Sequence, residues 1–361
     1  MTWRDCFFLP QDKLKPNRLY FLDGLRAFAL ITMVFTHGMK NWINPANETP
    51  LTLFIKEILT NIPAPLFLTL VGAAYLLSKN ARLRKGHSQK TILFYFLRRS
   101  AFLLLLAYLY KFVDIFFGVS VVHIRYWIVD VLNMISVSLA FIALFYFYAD
   151  RFHWKENRIL WVAVLIVLFT PCIINLEWPS RLMPWMISLY ITGKQPNAYF
   201  TIFPYSSYVF FGTWLTRQVL QGWPVTPSPF LRRLFLALLG CALLGFAIKE
   251  TINSQGWIVI GSHVHQYAKN YMMVIVAFWG AFHFQRKVGF GPMLLLGSHT
   301  LIAYWVHAKI VFIYYKKYLY VSDWSTSSWL LCKTYFATFC ITFAYINLKR
   351  LSASFLKQGK N

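Results

Sequence analysis

The sequence predicts an all-α protein, a polytopic membrane helical bundle of about ten transmembrane helices. Two observations lead to this class. Of the 361 residues, 58% are apolar and only 13% are charged, whereas soluble proteins carry roughly 25% charged residues. The apolar residues are also gathered into long runs, and about 20 such residues cross the hydrocarbon layer of a bilayer. Together these features exclude an ordinary soluble enzyme.

Ten apolar runs are long enough to be interpreted as spans, with edges placed to within a few residues. They cover residues 19–39, 62–78, 97–117, 126–148, 157–175, 200–217, 231–249, 268–284, 291–314 and 327–348. Interruptions by Pro or Gly are tolerated in membrane helices because neighbouring groups satisfy the freed backbone. We therefore predict a cytoplasmic segment at residues 1–18, a transmembrane domain at 19–348 and a cytoplasmic tail at 349–361.

The net charge of +24 is interpreted through membrane topology. In a soluble protein it would suggest nucleic acid, but here the basic residues cluster at the edges of the apolar runs. If the N-terminus is cytoplasmic, more than twice as many Lys and Arg residues lie inside as outside. The positive-inside rule then predicts two cytoplasmic termini. We expect the membrane to be a cell membrane, with a bacterial inner membrane favoured. We expect contact with the lipid bilayer and no nucleic-acid partner.

Metal binding is not predicted. The five cysteines are scattered, with no CxxC or zinc-like spacing. His263 and His265, in a segment predicted to lie outside, are weak evidence for a metal on their own. The oligomeric state is left open.

The first span contains the densest polar group, in LDGLRAFALITMVFTH. Asp23 and Arg26 are three residues apart, so a helix places them on one face, where they can neutralise each other. Arg26 and His37 also share a face, about 16 Å apart along the helix axis. One interpretation is a boundary ion pair with an interfacial histidine. The other is a water-lined path ending at an acid–base group, which makes Asp23, Arg26 and His37 candidate catalytic residues.

Two further spans carry polar side chains. In the ninth span, Tyr304 and His307 share a face, and His307 lies at a depth similar to that of His37. A structural histidine and a catalytic or substrate-binding one both fit this position. In the fourth span, Asp130 and Asn133 lie one turn apart, which suits a contact between helices or a role in substrate binding.

The segment 79–99 is basic and contains no acidic residue. The positive-inside rule accounts for such a segment. Alternatively, some of its residues bind a cytoplasmic polyphosphate, because the guanidinium fork matches phosphate oxygens. The candidates for this role are Arg84, Arg98 and Arg99.

Four segments resemble motifs of a known family. RLYFLDGLRAFALITMVFTHGMKNW (residues 18–42) resembles the opening signature of the transmembrane acyltransferase superfamily, related to the acyltransferase family 3 proteins. The segments PAPLFLTLVGAAYLL, IVDVLNMISVSLAF and LLLGSHTLIAYWVH resemble motifs of its heparan-α-glucosaminide N-acetyltransferase branch. The second of these four segments matches through Pro65, Phe67 and Gly72.

The resemblance implies an acyltransferase that takes an acyl group, with acetyl favoured, from cytoplasmic acyl-CoA. The acceptor would be a saccharide on the opposite side of the membrane, which would be acetylated on oxygen or on nitrogen. Arg84, Arg98 and Arg99 would hold the donor, and His37 would act as general base or transient acyl carrier. Asp23 and Arg26 would shape the path, while His307 would be a second acid–base or acceptor-orienting group.

Two other classes of protein stay open. A transporter or flippase for a glycan or an anionic solute would use the same polar face as a permeation path. The absence of a visible inverted repeat in the sequence mildly disfavours it. An inactive relative that acts as a membrane scaffold is the third possibility.

Overall fold

The structure is a computed structural model that describes residues 19–116, 128–154, 158–174, 185–191, 199–221, 229–252, 255–284 and 291–358. Within these ranges the backbone is almost entirely helical, and extended pairing is limited to isolated bridges, such as that between Ile43 and Ser322. The α-helices of the described residues, numbered in chain order, are α1 (Tyr20–Trp42), α2 (Pro50–Thr60), α3 (Pro63–Arg84), α4 (Gln89–Phe116), α5 (Val131–Arg151), α6 (Arg158–Ile174), α7 (Trp185–Ile191), α8 (Ile202–Leu220), α9 (Pro229–Thr251), α10 (Gln255–Phe284), α11 (Gly291–Ser298), α12 (Thr300–Lys309) and α13 (Trp324–Gln358). The predicted all-α class is confirmed for this part of the chain.

Five helical segments among the described residues are long and apolar enough to cross a membrane. They are Pro50–Arg84, Gln89–Phe112, Val131–Arg151, Leu231–Thr251 and Trp324–Lys349. Two shorter apolar helices cover Arg158–Ile173 and Thr300–Tyr314. Along α9, large apolar side chains such as Leu236 and Leu243 are more than 60% exposed, as expected where lipid covers the surface. The chain is thus a helical membrane protein, while the count of ten spans stays a prediction.

The described residues fall into two compact units. The first combines the chain up to Leu66 with the chain from Val276 onward, and the second comprises Phe67–Ile275. The predicted site residues divide between them: Asp23, Arg26, His37, Tyr304 and His307 belong to the first unit. The second unit contains the other five candidates, which are Arg84, Arg98, Arg99, Asp130 and Asn133.

In the first unit, α1 packs against α2, α11, α12 and α13. The two helices α1 and α11 approach closely at Gly297, where an added Cβ would overlap the backbone carbonyl of Asp23. Because glycine alone lacks a Cβ, it permits this contact. The glycine of the late sequence motif therefore fixes α11 against the beginning of α1.

An apolar cluster holds the other end of α1. It is formed by side chains from α1, from α13 and from the π-helical segment Ile310–Tyr314. The fully or nearly buried members are Val34, Met39, Trp42, Ile43, Val311, Leu330 and Leu331. The backbone N–H of Tyr320 also donates to the carbonyl of Asn41 at 2.8 Å. These contacts hold α1 on both sides of His37.

In the second unit, α4 packs on α5, and α8 packs on both α5 and α6. Two glycines allow α3 and α8 to meet backbone to backbone. An added Cβ at Gly72 would overlap the carbonyl of Val209, and one at Gly212 would overlap the carbonyl of Thr69. Gly72, which belongs to the second-span motif, therefore has a packing role.

Candidate active site

Two histidines from distant parts of the chain meet in the first unit. The Nδ1 of His37 on α1 and the Nε2 of His307 on α12 are 3.2 Å apart. Their rings are stacked, with centroids 5.3 Å apart and planes inclined by 20°. His307 is completely buried, whereas His37 is half-buried. His37 is therefore the member of the pair with remaining surface to offer to a ligand.

Hydrogen-bond chemistry assigns the protons of the neutral pair. The Nδ1 of His307 lies 3.1 Å from the carbonyl oxygen of Ala303, which can only accept, so this Nδ1 carries the proton. The Nε2 of His307 then accepts the N–H of His37 Nδ1. In the neutral ring the Nε2 of His37 consequently keeps its lone pair, which is the form needed for a general base or a nucleophile.

Aromatic rings surround the histidine pair. The ring centroids of Phe312 and His37 are 5.2 Å apart. Those of Tyr304 and His307 are 5.6 Å apart, and these two rings meet edge to face. The predicted common face of Tyr304 and His307 is thus observed as a contact. Phe312 lies in the π-helical segment, a rare geometry that is frequent at functional sites. Apolar surroundings of this kind strengthen the hydrogen bond between the histidines.

Asp23 and Arg26 form the ion pair expected from their spacing. Arg26 Nη1 donates to Asp23 Oδ1 at 2.7 Å, and the side chains are 5% exposed for Asp23 and 27% for Arg26. Helical rise places Arg26 about 16 Å before His37 along the axis of α1. The ion pair and the histidine pair therefore occupy different levels of the same helix.

In the second unit, Asp130 and Asn133 hold the beginning of α5 and contact a buried lysine. The Asp130 carboxylate caps the helix by accepting the backbone N–H groups of Leu132 and Asn133, at 3.0 and 3.1 Å. Lys111 of α4 donates to Asn133 Oδ1 at 2.5 Å and lies 3.6 Å from Asp130 Oδ2. Asn133 Nδ2 donates to the hydroxyl of Tyr190 at 3.0 Å. The structure thus gives both residues contacts between elements, and their role in substrate binding stays a prediction.

The three arginines predicted to hold the donor are all exposed. Arg99 Nη1 donates to the hydroxyl of Tyr95 at 3.3 Å. None of Arg84, Arg98 and Arg99 lines the cavity of about 740 Å³ that the second unit contains at the ends of α3, α4, α5, α6 and α8. Their role in donor binding stays a prediction.

The cationic side chains that do line this cavity are Lys79, Arg158 and Arg217. Sequence reasoning treated Arg158 and Arg217 only as markers of topology. Lys79 belongs to the basic segment 79–99, some of whose residues were considered for polyphosphate binding. A usable signal was present, because each stands where a span meets a segment predicted to lie in the cytoplasm. The sequence does not show that these three ends converge.

Among the described residues, no three His, Cys, Asp or Glu side chains are grouped so as to hold a metal ion. His263 Nε2 bonds to the carbonyl of Val167 at 3.1 Å, and His265 Nδ1 to that of Ala242 at 2.9 Å. These two histidines thus tie α10 to α6 and to α9. Independence from metals stays a prediction.

The five long apolar helical segments define the class as a helical membrane protein. Residues 18–245 match the model of the family described as heparan-alpha-glucosaminide N-acetyltransferase, catalytic. Because the match covers well over half of the chain, the protein belongs to this family, and the resemblance found in the sequence is confirmed. No curated protein matches the chain. The matched range includes Asp23, Arg26 and His37 and ends before Tyr304 and His307.

Proposed function

We propose that this protein transfers an acetyl group from cytoplasmic acyl-CoA to an extracytoplasmic saccharide. Its membership of a membrane acetyltransferase family supports the reaction class. The observation that carries the proposal is the 3.2 Å contact between His37 and His307. It supplies a half-buried imidazole whose basic nitrogen is set by a second, buried imidazole. Acyl transfer to a hydroxyl or an amine is accelerated by a positioned general base of this kind.

In the direct mechanism, His37 Nε2 takes the proton of the acceptor hydroxyl or amine. The acceptor atom attacks the thioester carbonyl, the new C–O or C–N bond forms, and the C–S bond breaks. The proton held by His37 passes to the departing sulfur, so that CoA leaves as the thiol. His307 stabilises the imidazolium that forms meanwhile, because its Nε2 still accepts the N–H of His37 Nδ1.

A covalent mechanism uses the same nitrogen. His37 Nε2 attacks the thioester carbonyl, a C–N bond forms as the C–S bond breaks, and CoA leaves as the thiolate. The acceptor then attacks the acetyl group, the C–N bond breaks, and the acceptor's proton passes to the thiolate, so that His37 returns to its neutral form. Transient labelling of the protein by the acetyl group distinguishes this mechanism from direct transfer.

The other candidate site residues from the sequence also have proposed roles. The ion pair of Asp23 and Arg26 shapes a polar path along α1, and Tyr304 contacts the acceptor beside His307. Arg84, Arg98 and Arg99 are candidates for the phosphates of the donor on the cytoplasmic side, with both termini in the cytoplasm. The family name indicates a glucosaminide amine as the first acceptor to test.

The test uses the full chain reconstituted in liposomes with acetyl-CoA labelled in its acetyl group. Glucosamine offers an amine and hydroxyls, while N-acetylglucosamine offers hydroxyls alone. Labelled sugar, labelled protein and released thiol are measured for wild type and for His37→Ala. We expect the loss of the general base to reduce acetyl transfer by about 100-fold or more. His299→Ala, which removes a half-buried histidine from the same unit, is the matched control and keeps its activity.

Three outcomes contradict the proposal. Full transfer by a normally expressed His37→Ala protein removes His37 from the chemistry. Movement of sugar across the liposome membrane without thiol release favours the transporter or flippase. A folded protein that neither transfers acetyl groups nor moves sugar across the membrane would favour the membrane scaffold.

A further inference from the structure

The second unit contains a cavity whose lining combines positive charge with aromatic surface. Its volume of about 740 Å³ falls in the range of small-molecule sites, roughly 300–1,000 Å³. The C-terminal ends of α3, α5 and α8 and the beginnings of α4 and α6 line it. From the sequence, all five ends are predicted to lie on the cytoplasmic side. A ligand in this cavity would therefore be a cytoplasmic one.

The charges of the lining favour an anion. Lys79 forms an ion pair with Asp150 at 2.6 Å, so these two charges balance. Arg158 and Arg217 add two further positive charges to the same lining. Guanidinium groups bind phosphate in bidentate fashion, which makes them better suited than lysine to a phosphorylated ligand.

The aromatic part of the lining adds a surface for a planar ring. Trp154 is 41% exposed and lines the cavity. The Arg158 guanidinium lies 5.8 Å from the centre of its ring, so one ligand can contact both side chains. Bases stack on aromatic side chains and on guanidinium planes. A ligand with a ring joined to phosphates fits this pair better than a free phosphate does.

The turn that carries Trp154 has an uncommon backbone conformation. His153, whose side chain also lines the cavity, has φ of 50°, a left-handed value that few residues other than glycine adopt. The backbone N–H of Trp154 donates to the carbonyl of Ala149 at 2.9 Å and closes the end of α5. Glycine would be less strained here. Such strain is often found at ligand sites.

We infer that this cavity binds the phosphate-bearing nucleotide end of the acyl-CoA donor, with Arg158 and Arg217 on the phosphates and Trp154 against the adenine ring. The inference rests on the proposed function for the identity of the donor. It places donor binding on Arg158 and Arg217, which the sequence had not singled out, in place of Arg84, Arg98 and Arg99.

The test is equilibrium binding of CoA, dephospho-CoA and pantetheine to the full chain in lipid nanodiscs. Wild type is expected to bind CoA most tightly and pantetheine most weakly. Arg158→Gln and Arg217→Gln are each expected to weaken CoA binding about tenfold or more, because each removes a charge-assisted contact to phosphate. Neither substitution should change the binding of pantetheine. Arg158 is exposed, so its variant folds even if the half-buried Arg217 proves sensitive.

Two comparison variants sharpen the result. Arg233→Gln removes an exposed arginine outside the lining and should bind CoA as wild type does. Arg98→Gln tests the earlier candidate group. If Arg98→Gln weakens CoA binding while both cavity variants bind normally, the cavity is overturned as the donor site and the proposed acetyl transfer is unaffected.

The failure of the proposed function gives a different pattern. In that case the wild type releases no thiol from acetyl-CoA, although CoA binding still depends on Arg158 and Arg217. The cavity would then be retained as a nucleotide-binding site, and the proposal of acetyltransferase activity would be rejected. Normal CoA affinity in His37→Ala completes the separation of binding from chemistry.

Discussion

The Nδ1 of His37 lies 3.2 Å from the Nε2 of His307, although the two residues are 270 positions apart in the chain. The buried His307 bonds through its Nδ1 to the carbonyl of Ala303, and this bond determines which nitrogen of each neutral ring carries a proton. We propose that this arrangement makes His307 a positioning residue for His37. It has the logic of a hydrolase triad, in which one group holds the imidazole in the tautomer that catalysis needs.

The role of His307 can be separated from that of a structural histidine. His307→Leu removes the acceptor for His37 Nδ1, and we expect kcat for acetyl transfer to fall about 100-fold or more, with little change in KM for acetyl-CoA. His307→Gln offers a carbonyl oxygen as acceptor and should recover part of the activity. Steady-state kinetics across pH measure both. Equal activity of the Leu and Gln variants, with both folded, would show that the acceptor is irrelevant.

The Asp23–Arg26 pair should be more costly to break than to remove. The sequence predicts that α1 spans the bilayer, and a single charge at the centre of such a helix costs roughly 2.5–3.5 kcal/mol on insertion scales. Asp23→Leu and Arg26→Leu should therefore each lower expression and the apparent Tm more than the double substitution does. Acetyl transfer by the folded double variant then reports on the path along α1. If the double variant is fully active, the pair only neutralises charge.

Gly297→Ala should destabilise the first unit, because the new methyl group would overlap the backbone of Asp23. Overpacking of this kind costs about 1–3 kcal/mol. Gly280→Ala is the matched control, since a Cβ there has open space around it. Thermal unfolding followed by size-exclusion chromatography in detergent measures both. A Gly297→Ala protein as stable as wild type would contradict the close approach of α11 to α1.

The buried Lys111 should couple to Asp130. Lys111→Met leaves the Asp130 carboxylate without its cation, so we expect a lower apparent Tm, and Asp130→Asn in the same chain should restore part of it. Coupling energies for contacting residues are about 0.5–3 kcal/mol. The exposed Lys85 provides the control variant Lys85→Met.

The same residues also test the sequence-based assignment to substrate binding. Asn133→Leu removes both the acceptor for Lys111 and the donor to Tyr190. A structural role predicts reduced stability. A higher KM for the acceptor at unchanged stability would instead favour substrate contact by Asn133.

Local relations along one helix were predictable from the sequence. The ion pair of Asp23 and Arg26 and the contact of Tyr304 with His307 both follow from helical periodicity, since residues three apart share a face. The membrane class follows from composition, because so few charges cannot cover so much apolar surface in water. The family follows from motifs whose residues lie close together in the chain.

Contacts between helices were not predictable in this way. The spans predicted from the sequence put His37 and His307 at similar depths in the bilayer, but many pairs of helices allow that without contact. Only the close packing of α1 with α11, α12 and α13 determines that the two rings meet. In the second unit, the contact of Lys111 with Asn133 and the convergence of Arg158 and Arg217 on one cavity likewise depend on how separate helices pack.

The sequence alone therefore determined that this protein lies in a lipid bilayer, that it is helical and which family it belongs to. It also identified the polar residues that contact with lipid does not explain. Tertiary structure decided which of these residues touch, which nitrogen of His37 is basic and which arginines share a cavity. The physical reason is the range of each interaction. Hydropathy and helical periodicity act over a few residues, whereas a hydrogen bond between distant helices depends on the packing of all the side chains between them.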